Sequence, residues 1–372
     1  MTRRDQTPRY RGGGKRREGG IPFHKRYRKI LIVLMSAVLI LGIAGTSYAY
    51  VLNSKFKNIA KVGVNLKEKD RPDPDKGKAL NIMLLGSDKG KNLGTAQDNT
   101  TLAQDAKAAK WPNGKYRSDT LMVVHISADR KHVYLVSVPR DSLLTIYDGD
   151  GNPTSKEKVN AAFSYYGPTG AVATIEHLSD LRMKHLAIID WEGFKDMTDA
   201  VGGVPVFIPN SFTDPKQNKT WEQGQQVLQG EEALQYVRTR YGLINGDFDR
   251  IARQQNFLRA LMKKILSDGT MKNPVRLFDT LESITRNLTV DSSWQPGDMR
   301  ALALSLRGTT ADNVTFMTLP VAGTSTDPTY GSVVNVDEAR SKELFTALKS
   351  DTVDDYLTKY PDAALKPPKD VQ

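Results

Sequence analysis

The sequence contains no cysteine. This absence excludes a disulfide framework, a cysteine-ligated zinc site and a thiol nucleophile. Histidine is scarce as well, because only five occur and none of them is spaced as in the HExxH zinc motif. The chemistry available to this chain therefore rests on carboxylates, arginines and hydroxyls, together with a hard metal ion.

Net charge is also scarce outside the first 29 residues. The chain of 372 residues has a formal charge of +11, and residues 1–29 alone hold eleven Lys and Arg against two acids, which leaves only +2 for the other 343 residues. The N-terminal tail has no aromatic residues arranged for stacking on bases, so nucleic acid is not the expected partner. We expect this tail to contact anionic lipid headgroups.

Charged residues are absent from 30–52, a run of 23 residues rich in Leu, Ile, Val and Ala. A helix of this length spans the hydrocarbon core of about 30 Å. Because Arg26, Arg28 and Lys29 precede the run, we predict a single-pass anchor in the cell membrane with a cytoplasmic N-terminus and an extracellular catalytic domain. The alternative is a signal peptide cleaved near Ala49, but its apolar core is usually only about 7–15 residues long.

Beyond the anchor, the chain divides by composition. Residues 53–78 are polar and contain Pro72 and Pro74, which predicts an extracellular stalk, and the proline-bearing residues 351–372 predict a C-terminal tail. Between them, strand and helix patterns alternate over 79–350, which predicts a layered α/β domain. Strands are expected near 79–86, 120–127, 132–138, 185–190, 204–208, 314–319 and 333–336, and helices near 103–110, 159–166, 170–181, 191–200, 274–286, 296–306 and 337–348.

Five arginines lie between Ala233 and Arg259, in a stretch that reads as two helices with a junction between them. They are Arg238, Arg240, Arg250, Arg253 and Arg259. Asp247 and Asp249 lie beside the junction. Because the planar guanidinium group matches phosphate oxygens in pairs, such a cluster suits a pyrophosphate.

More charged residues follow the ends of the predicted strands, where open α/β sheets commonly bind ligands. Asp88 follows the first strand, Arg117 and Asp119 open the second, and Arg140 and Asp141 follow the third. Taken singly, each could be a solvated turn residue or a helix cap. Together they combine arginines for phosphate with carboxylates for Mg²⁺, which shares its ligands with substrate phosphates and water.

Eight short motifs contain these residues or lie between them: Leu-Leu-Gly-Ser-Asp (84–88), Arg-Ser-Asp-Thr-Leu (117–121), Val-Pro-Arg-Asp-Ser (138–142), Lys-Val-Asn-Ala-Ala-Phe (158–163), Asp-Trp-Glu-Gly-Phe (190–194), Ala-Val-Gly-Gly-Val (200–204), Gly-Glu-Glu-Ala-Leu-Gln-Tyr-Val-Arg-Thr-Arg (230–240) and Asp-Arg-Ile-Ala-Arg-Gln-Gln (249–255). In these motifs and their order the chain resembles the LytR-CpsA-Psr proteins, strongly over about 79–260 and weakly to about 350. The resemblance implies a three-layer α/β/α domain around a central mixed β-sheet, outside the cytoplasmic membrane.

The resemblance implies a phosphotransferase of cell-wall assembly. It would move a phosphoglycan from an undecaprenyl (polyprenyl) pyrophosphate carrier to a peptidoglycan hydroxyl, with Mg²⁺ or Mn²⁺ as the cofactor. Two alternatives stay open. One is a polyprenyl pyrophosphate hydrolase, which would use the same arginines with water as the acceptor, and the other is a non-enzymatic envelope regulator.

The resemblance also implies roles for individual residues. Asp88 and Asp119 match the metal-associated carboxylates, and either Asp119 or Asp247 is the candidate base, with Arg140 and Arg240 completing the catalytic set. Arg253 and Arg259 are expected at the surface or one layer behind the site. The expected pyrophosphate ligands are Arg117, Arg140, Arg238, Arg240, Arg250 and Gln254.

Two departures from the family pattern affect this assignment. Asp249 stands where many members have glycine, which adds a negative charge beside the anion site. The segment between Lys89 and Tyr116 is longer than usual, so Asp88 is placed less securely than Asp119.

The resemblance further implies a hydrophobic pocket for the lipid chain. The alternative for each candidate residue is an ordinary place in the core. The candidates are Phe163, Tyr165, Tyr166, Val172, Ile175, Leu178, Phe194, Phe257, Leu258 and Leu261.

Overall fold

The structure is a computed structural model. It describes residues 59–74, 77–89, 102–105, 111–241, 243, 246–267, 282, 288–306 and 308–371. The expected anchor at 30–52 lies outside the described residues, as does the helix expected at 274–286 except for residue 282. Within the described part of the chain, every helix is too short or too polar to cross a bilayer.

The domain is built on a mixed sheet of seven strands. Numbered along the chain and given in spatial order, the strands are β1 (Ala60–Val62), β12 (Leu288–Asp291), β7 (His185–Asp190), β2 (Leu80–Lys89), β3 (Tyr116–Ile126), β4 (Val133–Ser137) and β13 (Val314–Thr318). The pairs β12–β7, β2–β3 and β3–β4 are antiparallel. The pairs β1–β12, β7–β2 and β4–β13 are parallel.

Helices and smaller hairpins surround this sheet. The helices are α1 (Leu102–Asp105), α2 (Asn160–Ser179), α3 (Trp191–Ala200), α4 (Gly230–Arg238), α5 (Asp247–Ile265), α6 (Pro296–Ser305), α7 (Glu338–Lys349) and α8 (Val353–Lys359). Four antiparallel pairs join β5 (Leu143–Tyr147) to β6 (Pro153–Lys158), β8 (Val204–Ile208) to β11 (Gly224–Leu228), β9 (Phe212–Asp214) to β10 (Lys219–Trp221) and β14 (Val321–Asp327) to β15 (Gly331–Val336).

The two faces of the sheet are covered by different helices. Because side chains alternate along a strand, Met83 and Leu85 of β2 join a core cluster with α2, α7 and α8, while Ile82 and Leu84 join another with α5 and α6. The mixed α/β fold with a central mixed sheet is thereby confirmed, with helical layers on both faces.

The helices begin where the sequence supplies caps. The Asp190 carboxylate accepts a hydrogen bond from the amide of Gly193 (2.8 Å) at the start of α3, and Asp337 accepts one from Arg340 (3.0 Å) at the start of α7. The two helices expected at 159–166 and 170–181 form one run, α2, which is kinked at Gly167. Gly167 has a φ of 66°, and a Cβ there would lie 2.7 Å from the Trp111 ring.

Residues 59–72 of the predicted stalk belong to the folded domain, so the assignment of 53–78 as a stalk was wrong for these residues. Ile59 is buried, β1 pairs with β12 in the central sheet, and Arg71 donates to both carboxylate oxygens of Glu176 (3.0 and 2.6 Å). These are long-range contacts, which polar local composition does not reveal.

The predicted C-terminal tail is also part of the domain. Val353 and Tyr356 of α8 are buried, three positions apart on one helical face. Farther on, the amide of Leu365 donates to the carbonyl of Phe316 (2.8 Å), and Val371 is buried. Residues 351–371 therefore pack on the sheet, although their prolines had suggested a tail.

We expect Glu176→Gln to destabilise the domain strongly. Glu176 is fully buried and also accepts a hydrogen bond from the amide of Met183 (2.8 Å), so the substitution would leave the partly buried Arg71 without its counter-charge. Breaking a buried pair costs about 3–5 kcal/mol in the free energy of unfolding. Urea unfolding of the full chain in detergent measures this change.

The matched control is Glu68→Gln, because Glu68 is exposed and pairs with Arg182 (2.5 Å) in the same region. This surface pair contributes much less than the buried one. Equal, small losses in both variants would contradict the docking of residues 59–74 on the domain.

Candidate active site

The arginine-bearing junction opens onto a cavity of about 520 Å³. The cavity lies between the end of α4, the start of α5 and the first residues of β3. Five residues singled out from the sequence line it together: Asp119, Arg238, Arg240, Arg250 and Gln254. Residues 134 positions apart along the chain, such as Thr120 and Gln254, thus meet at one site.

Asp119 reaches the cavity from a β-bulge. Gly86 of β2 pairs with Thr120 and Ser87 pairs with Ser118, so Asp119 is the extra residue on β3. A bulge re-aims the side chain of its extra residue, and bulges are over-represented next to active sites. Asp119 is half-buried, with 21% of its side chain exposed.

Asp119 begins a chain of ion pairs of alternating charge that passes through the loop between β4 and β5. Arg140 donates to Asp119 through Nη1, and its Nε lies 3.5 Å from Oδ2 of Asp141; Lys158 Nζ lies 3.3 Å from Oδ1 of Asp141. Burial acts to lower the pKa of Arg140, but Asp119, Asp141 and Asp247 outweigh it, so this pKa is raised. Arg140 is therefore firmly cationic.

Arg250 is the most deeply buried arginine on the cavity wall, with 3% exposure. Its Nη2 lies 2.5 Å from Oδ1 of Asp247. Burial lowers the pKa of Arg250 to about 10; Asp247 opposes this shift, while the charges of Arg140 and Arg240 add to it. Arg250 stays charged at neutral pH, and the mutual repulsion of the three arginines favours binding of an anion.

Arg238 and Arg240 flank Thr239 at the end of α4. Both arginines are exposed and line the cavity, whereas Thr239 is fully buried in an extended backbone conformation. The Arg238 guanidinium lies 5.3 Å from the centroid of the Trp191 ring, within the range of a cation–π contact. Two guanidinium groups two residues apart thus face the same cavity.

Gln254 joins three elements of the site. Its Oε1 accepts a hydrogen bond from Thr120 of β3 (3.3 Å), and its Nε2 donates to the carbonyl of Val237 in α4 (3.2 Å). The next residue, Gln255, donates to the carbonyl of Met317 (2.6 Å). These bonds hold the first half of α5 against both the sheet and α4.

Asp88 and Arg117 are not placed in the cavity by the described contacts. They pair across β2 and β3, where Arg117 is exposed and is not among the residues that line the cavity. The side chain of Asp88 lies outside what the structure describes. Within the described residues, no cluster of three or more His, Asp or Glu side chains could hold a metal, so the pairing of Asp88 with Asp119 at a metal stays a prediction.

Arg253 is not a surface residue. It is 1% exposed, and its guanidinium lies 4.4 Å from the ring centroid of Phe212 and 5.1 Å from that of Tyr236. Arg259 is half-buried farther along α5 and donates to the carbonyl of Lys366 (2.9 Å). Arg253 therefore lies directly behind the site, and Arg259 lies away from it.

Eight of the ten candidate lipid-pocket residues divide between two packed clusters instead of facing one space, and Tyr165 and Tyr166 belong to neither cluster. Tyr165 is 40% exposed. For the eight that belong to clusters, this packing favours the alternative of an ordinary core. Phe163, Val172, Ile175 and Leu178 pack in one cluster, and Phe194, Phe257, Leu258 and Leu261 in another.

Several residues of the site were missed from the sequence. Lys158 and Trp191 stand inside quoted motifs, so the motifs could have indicated them. Asp214, Lys216 and Gln217 belong to the β9–β10 hairpin, whose three-residue strands gave no periodic signal.

Comparison with known proteins finds a matching family model, similar sequences and similar solved structures. The model of the LytR_cpsA_psr family matches residues 45–350. "Cell wall biosynthesis protein LcpA" of Corynebacterium glutamicum is 31% identical over 341 residues, which are 82% of this chain and 62% of that protein. "Polyisoprenyl-teichoic acid--peptidoglycan teichoic acid transferase TagU" of Bacillus cereus is 31% identical over 269 residues, which are 70% of this chain and 78% of that protein.

The chain spans about three fifths of the length of the two Corynebacterium relatives that it matches, LcpA and the probable cell wall biosynthesis protein LcpB. Among solved structures, TagV of Bacillus subtilis superposes with a TM-score of 0.58 at 26% identity, covering 75% of this chain and 98% of that one. An enzyme from Actinomyces oris shares the fold, with a TM-score of 0.55 at 21% identity over 78% of this chain and 96% of that one.

Proposed function

This chain belongs to the LytR_cpsA_psr family, and from that premise we propose that it is a membrane-anchored phosphotransferase of cell-wall assembly. It attaches a phosphoglycan from an undecaprenyl (polyprenyl) pyrophosphate carrier to a peptidoglycan hydroxyl. The observation that carries the proposal is the cavity lined by Arg238, Arg240, Arg250 and Asp119. The relatives TagU and TagV, which are named as teichoic acid transferases, support the reaction class.

The pyrophosphate binds among the arginines. Arg238, Arg240 and Arg250 present their guanidinium groups to the cavity, and each can hold two phosphate oxygens at once. Arg140 adds a fourth cation beside Asp119, and we assign Arg117 to the exposed edge of the site. Gln254 holds α5 in place. A bound pyrophosphate relieves the repulsion between the arginines, which makes the site selective for a dense negative charge.

In the reaction, a peptidoglycan hydroxyl attacks the phosphorus that carries the glycan. A new P–O bond forms to the acceptor, the P–O bond to the carrier breaks, and polyprenyl phosphate leaves with the bonding electrons. The arginines stabilise the charge that grows on the leaving oxygen and on the peripheral oxygens. Positioning and electrostatics therefore supply most of the catalysis.

The hydroxyl proton goes to a carboxylate. Asp119 lines the cavity and gives one oxygen to Arg140, which leaves its other oxygen as the proton acceptor. Asp247 is the alternative acceptor, and its buried Oδ2 has no hydrogen-bond partner among the described residues. Each carboxylate is paired with an arginine, Asp119 with Arg140 and Asp247 with Arg250 (2.5 Å).

The site fits Mg²⁺ or Mn²⁺ through Asp119. Mg²⁺ is usually held by one or two carboxylates together with substrate phosphates and water, and Asp119 offers such a carboxylate on the wall of an anion site. We propose that Asp119 and Asp88 hold the ion. When bound, the ion neutralises charge on the phosphate oxygens.

We expect chelation to lower the rate of transfer by more than about tenfold, because the phosphate charge would then be neutralised by arginines alone. Addition of Mg²⁺ or Mn²⁺ after EDTA should restore the rate, measured as labelled glycan bound to peptidoglycan. Asp119→Ala should not regain activity at any metal concentration. Full activity after exhaustive chelation would contradict a role for the metal.

The location of the reaction follows from the N-terminal segments. We propose that residues 30–52 anchor the chain, that the basic tail 1–29 contacts anionic headgroups in the cytoplasm, and that the domain faces the wall. The uncharged run of 23 residues with basic residues before it supports this orientation. The donor lipid would lie in the same membrane as the anchor.

The dependence of carrier release on the acceptor tests this function. The full chain in detergent is given a lipid-pyrophosphate-linked glycan, and release of polyprenyl phosphate is followed with and without peptidoglycan oligomers. A transferase releases the carrier much faster with the acceptor present. Release at the same rate in water alone identifies a hydrolase, and no release under either condition identifies a non-enzymatic protein.

A further inference from the structure

The residue between the two arginines at the end of α4 is fixed through its side-chain hydroxyl. Thr239, between them, is fully buried, and its Oγ1 donates a short hydrogen bond to Oδ2 of Asp214. The same oxygen accepts a hydrogen bond from Nε2 of Gln217 (3.2 Å). The Thr239 hydroxyl is therefore fixed both as a donor and as an acceptor, and Arg238 and Arg240 are the residues directly before and after it in the chain.

Asp214 is itself locked in place. It is 2% exposed, and its other oxygen accepts hydrogen bonds from the amides of Lys216 (2.9 Å) and Gln217 (3.2 Å) in the turn between β9 and β10. A buried carboxylate needs such donors to offset the loss of hydration. Because its remaining oxygen is satisfied by Thr239, rotation of Asp214 would leave a buried charge short of a partner.

The same hairpin also holds the second arginine-bearing helix. Phe212 of β9 lies against the guanidinium of Arg253 of α5, at 4.4 Å from ring centroid to Cζ. The ring of Tyr236 of α4 contacts the same guanidinium at 5.1 Å. One short hairpin thus contacts the end of α4 and the first half of α5, which are the elements that supply Arg238, Arg240 and Arg250.

We propose that the β9–β10 hairpin is the positioning element of the pyrophosphate site, and that the Thr239–Asp214 hydrogen bond sets the direction of Arg238 and Arg240. Thr239 and Asp214 act through the arginines and are positioning residues. The proposal rests on the proposed function, since it names pyrophosphate as the ligand. Without the bond, the segment between α4 and α5 would move, and a misplacement of about 1 Å can cost about 10²-fold in rate.

The test compares two threonines whose hydroxyls support opposite ends of α4: Thr239 follows the end of α4, and Thr198 of α3 contacts its start. Thr239→Val removes the hydroxyl with little change of shape, and Thr239→Ser keeps it. The matched control is Thr198→Val, because Thr198 is also fully buried and its Oγ1 accepts a hydrogen bond from the amide of Gly230 (2.7 Å) at the start of α4. Both valine variants lose one buried hydroxyl that holds the same helix.

Three readouts are taken on the full chain in detergent: the Kd for inorganic pyrophosphate by calorimetry, kcat and KM for transfer, and the Tm. We expect Thr239→Val to weaken pyrophosphate binding about tenfold, the usual consequence of one lost hydrogen bond to a charged group, and to lower kcat as well. The Kd and kcat of Thr239→Ser should stay within about twofold of those of the natural protein. The same holds for Thr198→Val, even if its Tm falls as far as that of Thr239→Val.

Equal losses of binding in the two valine variants, in proportion to their Tm, would overturn the proposal and leave Thr239 a structural residue. Unchanged binding in Thr239→Val would overturn it as well. A failure of the proposed function is distinguishable, because the natural protein would then bind pyrophosphate without transferring glycan. In that outcome the binding measurements alone decide whether the hairpin positions the arginines.

Discussion

We expect Asp119→Asn to lower the rate of glycan transfer by about 10²–10⁴-fold, the range typical of losing a general base. The amide keeps the shape of the side chain and an oxygen that can accept the hydrogen bond from Arg140. It removes the negative charge with which the carboxylate would accept a proton or bind a metal ion. The substitution therefore separates the chemistry of Asp119 from its packing, and the initial rate with saturating donor measures the loss.

Asp129→Asn is the matched control for this substitution. Asp129 lies beyond the opposite end of β3, where its carboxylate accepts a hydrogen bond from the Ser127 hydroxyl (2.6 Å). Its loss should leave transfer unchanged. Normal activity in Asp119→Asn would remove this carboxylate from the mechanism and leave Asp247 as the only candidate base.

Arg240→Ala should be the second severe loss, with kcat/KM for the lipid-linked donor lower by about 10²–10³-fold, as when one donor to a developing oxyanion is removed. Arg240 is exposed at the cavity and contributes little to the core, so the fold should survive. Arg240→Lys should recover only part of the rate, because an ammonium group cannot hold two phosphate oxygens in one plane. Steady-state kinetics with varied donor concentration measure both variants.

Arg300→Ala controls for the loss of a surface arginine, since Arg300 is exposed on α6. It should behave as the natural protein. If Arg240→Ala and Arg300→Ala were equally active, the cavity at the α4–α5 junction would not be the pyrophosphate site.

The central strands could be predicted because their signal is local. The segments at 120–127 and 132–138 alternate between residues of the two core clusters and are separated by a turn, and they form the hairpin of β3 and β4. The β9–β10 hairpin could not be predicted, because its strands have only three residues each and are held by long-range contacts such as that of Thr239 with Asp214. The same reason applies to residues 59–74, where the Arg71–Glu176 pair joins positions 105 apart.

For the candidate site too, local signals could be predicted from the sequence and long-range contacts could not. Arginines and carboxylates at the ends of strands and helices predicted an anion site, and the cavity contains Arg238, Arg240, Arg250 and Asp119. The sequence could not show that a bulge on β3 presents Asp119, because the register with β2 decides it. Nor could it show that Arg253 lies behind the site, since burial depends on which rings the fold brings to it.

The linkage between glycan and peptidoglycan in the product tests the central claim most directly. The full chain is incubated with a polyprenyl-pyrophosphate-linked glycan and peptidoglycan oligomers, and the product is digested with muramidase and analysed by mass spectrometry. We predict a muropeptide that carries the glycan through one phosphodiester, together with free polyprenyl phosphate, and about 10²–10³-fold less of both products in the same time from Arg240→Ala. Glycan phosphate found only free in solution, with unmodified muropeptides, would contradict the account.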